Sequence, residues 1–369
     1  MKTNLIFNTE KLIGNLNSSS AFYKIKENKH NLKIIKEYKN KRGRPFSINI
    51  PKKIKISPEA AGLIVGEGFI GDRNFVFANS NEKAIDMVLN LLQQFNLPIK
   101  DYLEISIKNK DKKFINECKR FWEKQINTKI IKIRLRKEFN NITNHGTLHI
   151  GINNSLVAKL LKQIITKSKK KIEKNKELCI GYLKGILAAE GNINIKKKTN
   201  CVYMVRISAS KIDERDHYKR CLKKIGINIS CKDMPTVSKE EAKQKNWKTT
   251  KGRAGAVLIS KWDNFIKILE LNLLELSKEK EQKFMNHFFN NKFTKQFLGL
   301  RHFIDNDFTM KKIQNHFNFS GRHLNRVLTL WKKGYLERKL VKNHYIYKTN
   351  KRYLNIFYTL NSYQNNPIF

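Results

Sequence analysis

A stretch that occurs twice constrains this chain more than any other feature: AAGLIVGEGF, Ala60 to Phe69, and YLKGILAAEGNI, Tyr182 to Ile193. Each copy is an apolar run of helical character ending in an acid followed by glycine. Gly62 and Gly66 lie four residues apart on one helical face, and Gly181, Gly185 and Ala189 form the same kind of ridge in the second copy. Small ridges let two backbones approach closely, and helices paired this way bring their C-terminal ends together at Glu67 and Glu190. That placement is unfavourable in isolation. A helix C-terminus already carries partial negative charge and two adjacent carboxylates repel, costing ~1 kcal/mol or more. A divalent cation between the acids removes both penalties. Gly68 and Gly191 are expected to supply a left-handed residue that ends each helix and releases the chain into a strand.

At these residues the chain resembles the LAGLIDADG homing endonucleases. Ala60 to Gly68 matches the nine-residue motif with Glu67 at its metal-binding acid, and Leu183 to Gly191 matches it again with Glu190. Both copies depart at the sixth place, where Val65 and Ala188 replace an aspartate that is not the metal ligand. Two copies 190 − 67 = 123 residues apart, each followed by strand-like sequence, make the resemblance specific. It covers about residues 51 to 291. It implies an α+β fold of two pseudo-symmetric αββαββα halves, each with a curved four-stranded sheet, that together form a saddle on DNA.

The charge balance agrees with a polyanionic partner. Seventy-five lysines and arginines stand against 31 acids, a net charge of +44. A 40% hydrophobic content points to folded domains and not a basic tail. Cys118, Cys179, Cys201, Cys221 and Cys231 show no paired spacing, and the nine histidines complete no zinc pattern. With no apolar run of about 20 residues and no apolar signal core, the expectation is a soluble, cytoplasmic protein without membrane association.

In chain order, residues 1–50 read as a basic N-terminal extension, in which Arg42-Gly43-Arg44-Pro45 matches the core of a minor-groove AT-hook or is simply part of a basic arm. The segment 51–175 is the first half. Ser57-Pro58-Glu59 starts its motif helix, followed by a hairpin, a helix over Ala84–Phe95, a strand over Tyr102–Ile107, and a helix near Phe114–Gln125. Strands over Lys129–Lys137 and Thr147–Asn153 and a helix from Ser155 to about Lys167 complete it. In KIIKIRLRK, alternation predicts Ile131, Ile133 and Leu135 toward the helices and Lys132, Arg134 and Arg136 in one row on the other face. Such a row suits a phosphate backbone or guanine edges, or is a solvated sheet face; the resemblance favours DNA contact. The run Lys167 to Lys176 reads as a linker.

The second half, 176–291, repeats the order. Asn192, Asn194 and Lys196 alternate with Ile193 and Ile195 on a hairpin whose return carries Arg206 and Ser208, and a lysine-rich loop with Trp247 follows. Residues 292–369 resemble a winged helix-turn-helix domain, with Ile313 and Phe317 inward, a second helix offering Arg322, His323, Asn325 and Arg326 to the major groove, and a wing over Tyr335–Leu340 and His344–Lys348.

The resemblance implies a monomeric, site-specific endonuclease that hydrolyses phosphodiesters of double-stranded DNA at a long recognition site. Mg²⁺ or Mn²⁺ would be held by Glu67 and Glu190, with help from the carbonyls of Gly66 and Ala189. A basic residue organising the attacking water often follows the last helix of a half; Lys278 and Lys280 are the candidates, with Lys169 a weaker counterpart. A non-cleaving transcriptional regulator on the same scaffold, and an RNA intron maturase, use the same features.

Overall fold

The structure is a computed structural model and describes residues 4–14, 16, 21–39, 46–108, 110–136, 145–233, 240, 243, 255–317 and 328–365. The chain divides into two compact units, Met1–Gly191 with Ile207–Val257, and Asn192–Arg206 with Leu258–Phe369. Helices and strands are mixed throughout, as an α+β reading requires.

The first fifty residues are not a basic arm. They form β1 (Leu5–Asn8), α1 (Thr9–Ile13), β2 (Ala21–Glu27), β3 (Asn31–Tyr38) and β4 (Phe46–Pro51), and β5 (Lys53–Ile56) follows. Strands β2, β3 and β4 make an antiparallel sheet, and β1 pairs antiparallel with β5. The reason is alternation: Leu32, Ile34, Ile48, Ile50, Ile54 and Ile56 are buried at every second position, mostly between exposed polar residues, so each strand has one apolar face to lose from water. The AT-hook match at 42–45 lies outside the described residues.

The chain continues through α2 (Pro58–Glu67), β6 (Phe69–Ile70), β7 (Phe75–Asn79), α3 (Glu82–Gln93), β8 (Leu103–Lys108), α4 (Lys112–Ile126), β9 (Lys132–Arg136), β10 (Thr147–Ile152) and α5 (Ser155–Ile172). The sheet has five strands where four are expected, in the order β6-β7-β10-β8-β9, and β9 runs parallel to β8. The helix α4 makes this possible, because parallel neighbours need a crossover. One face is the core: Phe75, Phe77, Leu103, Ile105, Ile107, Leu148, Ile150 and Ile152 are fully buried.

Ile133 and Leu135 pair with Ile105 and Ile107 and so stand on the core side, but they and Ile131 stay exposed, by 36%, 47% and 66%, because β9 is the sheet's edge strand; Ile130 is buried instead. One expectation fails here. The linker at Lys167 is helix as far as Ile172, since Ile164, Ile165, Ser168 and Ile172 keep a buried stripe at helical spacing through the lysine run.

After α6 (Lys176–Glu190) come β11 (Gly191–Lys196), β12 (Cys201–Ala209), α7 (Ile212–Lys224), β13 (Ser230–Lys232) and β14 (Gly255–Ile259), in a sheet of order β11-β12-β14-β13. Then follow α8 (Trp262–Glu270), α9 (Lys278–Phe288), α10 (Lys292–Gly299), β15 (Phe308–Thr309), α11 (Met310–Phe317), β16 (Leu336–Val341), β17 (His344–Thr349) and α12 (Lys351–Asn365). An aromatic core binds the second unit: Trp262 meets Phe293, Phe297 and Tyr335, and the Tyr353 hydroxyl donates to the Phe297 carbonyl at 2.9 Å. Strands β15, β17 and β16 form a small sheet whose hairpin turns at Lys342 and Asn343, both at positive φ. Ile313 and Leu330 are buried as expected. Trp247, Arg322, His323, Asn325 and Arg326 lie outside the described residues. Among those described, no helix is long and apolar enough to cross a membrane.

A candidate metal and nucleic-acid site at the paired helix ends

Helix α2 begins where Ser57 accepts the Ala60 amide hydrogen at 3.0 Å, with Pro58 at the first helical position. Helix α6 begins with Asn175 accepting from Leu178 at 3.0 Å. The two run in the same direction and touch at a constant offset of 123 residues. A Cβ on Gly62 would collide with the Tyr182 carbonyl and lie 3.1 Å from the Gly185 Cα; one on Gly66 would collide with the Ala189 Cβ; one on Gly181 would lie 2.7 Å from Pro58. At Gly62 the nearest neighbours are all backbone atoms, and at Gly66 and Gly181 they are the Ala189 and Pro58 side chains, so the small residues are required by proximity.

The parallel pairing brings the C-terminal ends together. Glu190 is half-buried, and its Cγ lies 3.4 Å from where a Gly66 Cβ would stand, with Glu67 the next residue. Glu67 is exposed, and the Asn79 side-chain amide, at the end of β7, donates to its Oε2. Asn79 is itself fixed, because its Oδ1 accepts the Asn81 amide hydrogen at 2.7 Å. Sequence reading missed this residue; the one available signal is Asn79-Ser80-Asn81 at a strand-to-helix turn.

Gly68 and Gly191 correct an expectation. Neither is left-handed: their φ values are −81° and −71°, both extended. Glycine is needed because a Cβ there would lie 3.1 Å from the Ile64 Cα or 3.0 Å from the Leu187 Cα, inside the turn just completed.

The residues at these two helix ends offer carboxylate and backbone carbonyl oxygens, the hard set that suits Mg²⁺ or Mn²⁺. A Cβ at Gly66 would press on the Ala189 Cβ and come within 3.4 Å of the Glu190 Cγ, so glycine lets the two helix ends approach. Among the described residues, no group of three or more His, Cys, Asp or Glu side chains is placed to hold a metal. The two acids would therefore need carbonyls, water or a bound phosphate to complete a shell.

Titratable groups line the contacts of α5 and α7 with α6. Burial, then Glu214 and Glu190, pushes the Tyr218 hydroxyl far up, so it stays a proton donor. Burial lowers Lys169, with Glu214 opposing. The His217 Nδ1 meets Glu173 Oε1 at 2.5 Å, and Arg220 binds the same oxygen through Nε and Nη2 at 2.9 and 2.8 Å. That hydrogen bond from Arg220 holds Glu173 below its usual range. Lys278 and Lys280 open α9 in the second unit.

The basic row on β9 lies on the outer face of the first sheet, as expected, but it is partly engaged. The Lys132 ammonium donates to the Asp101 carbonyl at 2.9 Å, and Arg134 Nε lies 2.8 Å from Glu104 Oε1. His149, opposite Glu104 in register, is held below the ordinary imidazole range by burial and then by Arg136. In the second unit, Asn194 is half-buried, Lys196 exposed and Arg206 half-buried. Their hairpin turn is held by α9 and the residues after it, since Asn200 O accepts from His287 Nδ1 at 3.2 Å and from Asn290 Nδ2 at 3.1 Å.

No protein-family model matches the sequence, and no curated protein matches it. Several solved structures are similar to it. The N-terminal LAGLIDADG domain of DUF199/WhiA aligns at 12% identity and TM-score 0.32, over 61% of this chain and 84% of that one. I-DmoI, solved in complex with DNA and Mn, aligns at 15% and 0.32, over 58% and 94%. Full-length DUF199/WhiA from Thermatoga maritima aligns at 11% and 0.34, over 75% and 92%. At these values the likenesses decide neither family nor function.

Proposed function

We propose that the protein is a metal-dependent endonuclease that cuts double-stranded DNA. The observation that carries this reading is the placing of Glu67 and Glu190 at the neighbouring C-terminal ends of two closely packed helices. Two carboxylates at two helix C-termini form an arrangement that costs free energy until a cation joins it. The net charge of +44 names a polyanion as partner. The twice-repeated motif that the chain shares with the LAGLIDADG endonucleases points to the same chemistry.

A divalent ion held by Glu67, Glu190 and the carbonyls of Gly66 and Ala189 would supply Lewis-acid stabilisation of the charge that develops on a phosphodiester during hydrolysis. The chain's own residues do the rest. Asn79 orients the Glu67 carboxylate. Tyr218 remains a neutral donor under Glu190. Lys132, Arg134 and Arg136 on the first sheet, and Asn194, Lys196 and Arg206 in the second unit, contact backbone and bases. Lys278 or Lys280 organises the attacking water.

A second reading, a non-cleaving DNA-binding regulator, is favoured by the small β15-β17-β16 sheet with α11 and the helical residues 328–332. The described elements are compatible with the winged helix-turn-helix that the sequence resembles, in which Arg322, His323, Asn325 and Arg326 would be the base-reading residues. One experiment separates the two. Duplexes selected by binding from a randomised pool are incubated with Mg²⁺ or Mn²⁺ and their ends sequenced. Defined ends within the selected site are expected; selected duplexes that stay intact with both ions support the regulator.

A further inference from the structure

The outward face of the β2-β3-β4 sheet has no part in the site above. Directly opposed residues of an antiparallel sheet share a face. The register sets Ile34 between Ile25 and Ile48, and Leu32 opposite Ile50. Ile34, Ile48, Leu32 and Ile50 are buried, which makes this the inner face. It is fastened to the unit that carries the paired helices, because Lys36 Nζ on the same face donates to Ser155 Oγ at 2.7 Å. The other face carries Lys24, Lys26, Lys33, Ser47 and Asn49, all exposed.

Its charges are arranged in an unusual way. Lys26 stands directly opposite Lys33, and Lys33 directly opposite Asn49, in one line across three strands. Like charges opposed across a sheet destabilise it. Lys24 has a carboxylate partner, Glu37, at 2.7 Å. Among the described residues the side chains of Lys26 and Lys33 have none, and Lys29 and His30 extend the exposed basic edge at the β2–β3 turn. An anion lying across the line touches both ammonium groups and the Asn49 amide, and so relieves the repulsion.

We infer that this face is a second DNA-contact surface, which grips the phosphate backbone of the duplex through Lys26, Lys33 and Asn49. The inference rests on the reading that duplex DNA is the partner. Phosphate contacts of this kind add affinity and position without reading sequence. The geometry suits it: neighbouring strands about 4.8 Å apart set the Lys26 and Lys33 ammonium groups side by side, within reach of one phosphate backbone.

The test measures the affinity of the full chain for duplex DNA between about 50 and 200 mM salt. The variants are Lys26→Gln/Lys33→Gln, Lys33→Glu, and a control, Lys112→Gln/Lys113→Gln, which removes the same charge from the exposed start of α4. Each lost phosphate contact flattens the slope of log affinity against log salt by ~0.9, so the first double variant is expected to lose about 1.8 and the control none. Lys33→Glu turns a repulsive cross-strand pair into an attractive one. It is expected to raise the melting temperature while weakening binding, opposite signs that a purely structural role cannot produce. A wild-type slope in Lys26→Gln/Lys33→Gln, or wild-type binding by Lys33→Glu, overturns this surface and leaves the DNA reading intact. A wild-type chain that does not bind duplex at all overturns both.

Discussion

Replacing Gly185 by alanine tests whether the helix pair is held at backbone contact. The new Cβ meets backbone alone: it collides with the Glu59 carbonyl oxygen, lies 2.8 Å from the Leu63 nitrogen and 3.0 Å from the Gly62 Cα. Ordinary contact begins at 3.4 Å, so the Leu63 nitrogen alone demands 3.4 − 2.8 = 0.6 Å of separation. No side chain can turn aside, and α2 must move bodily from α6. A gap of about 0.5–1 Å forfeits a quarter to a half of each van der Waals well along the seam. Overpacking of this sort costs up to ~3 kcal/mol, and alanine returns ~1 kcal/mol of helix propensity, which leaves a net loss of about 2 kcal/mol. Thermal unfolding followed by circular dichroism should then show the first unit melting ~4–8 °C lower. Gly151→Ala, with nothing within 4 Å of its new Cβ, is the matched control and should stay within ~0.5 kcal/mol. A Gly185→Ala protein that melts at or above the wild type would refute the backbone-contact geometry.

Asn79→Ala leaves Glu67 without its orienting donor, and metal affinity measured by titration calorimetry should fall ~10- to 100-fold while duplex binding stays unchanged. The acid response has a definite sign. Burial holds His217 below its ordinary 6.5, so the unfolded chain binds more protons below that pH and stability falls as pH drops through 6.5. Glu173, lowered from 4.5 by Arg220, adds a further loss on acidification below 4.5. Burial holds His149 below its ordinary value as well, so urea midpoints should decline below about pH 6.5 in the wild type and more gently in His217→Gln; an unchanged decline in the variant would remove His217 as a source of it.

The helix pair was readable in the sequence because it is local: small residues at four-residue spacing and an acid at each end need no tertiary information to be seen. What the glycines after those acids do was not readable. A glycine required for left-handed backbone and one required for close approach look the same in sequence, and Gly68 and Gly191 are the second kind. The lysine run after Lys167 hid an apolar stripe that ends at Ile172, and the many lysines of residues 21–39 hid β2 and β3. The exposure of Ile133 and Leu135 follows from the edge position of β9, which is set by a parallel pairing across α4. Asn79 came within reach of Glu67 only through the packing of β7 against α2, which no periodicity encodes.

The most direct measurement is cleavage of a duplex bound by the wild-type chain, with Mg²⁺, by the wild type, Glu67→Gln and Glu190→Gln. Each substitution keeps the size of the side chain and removes one carboxylate, so binding should persist in all three proteins. Cutting at a defined position by the wild type alone is the expected result. A wild-type chain that binds the duplex but never cuts it, or a Glu67→Gln or Glu190→Gln protein that still cuts, would contradict the assignment of the paired acids as the catalytic centre.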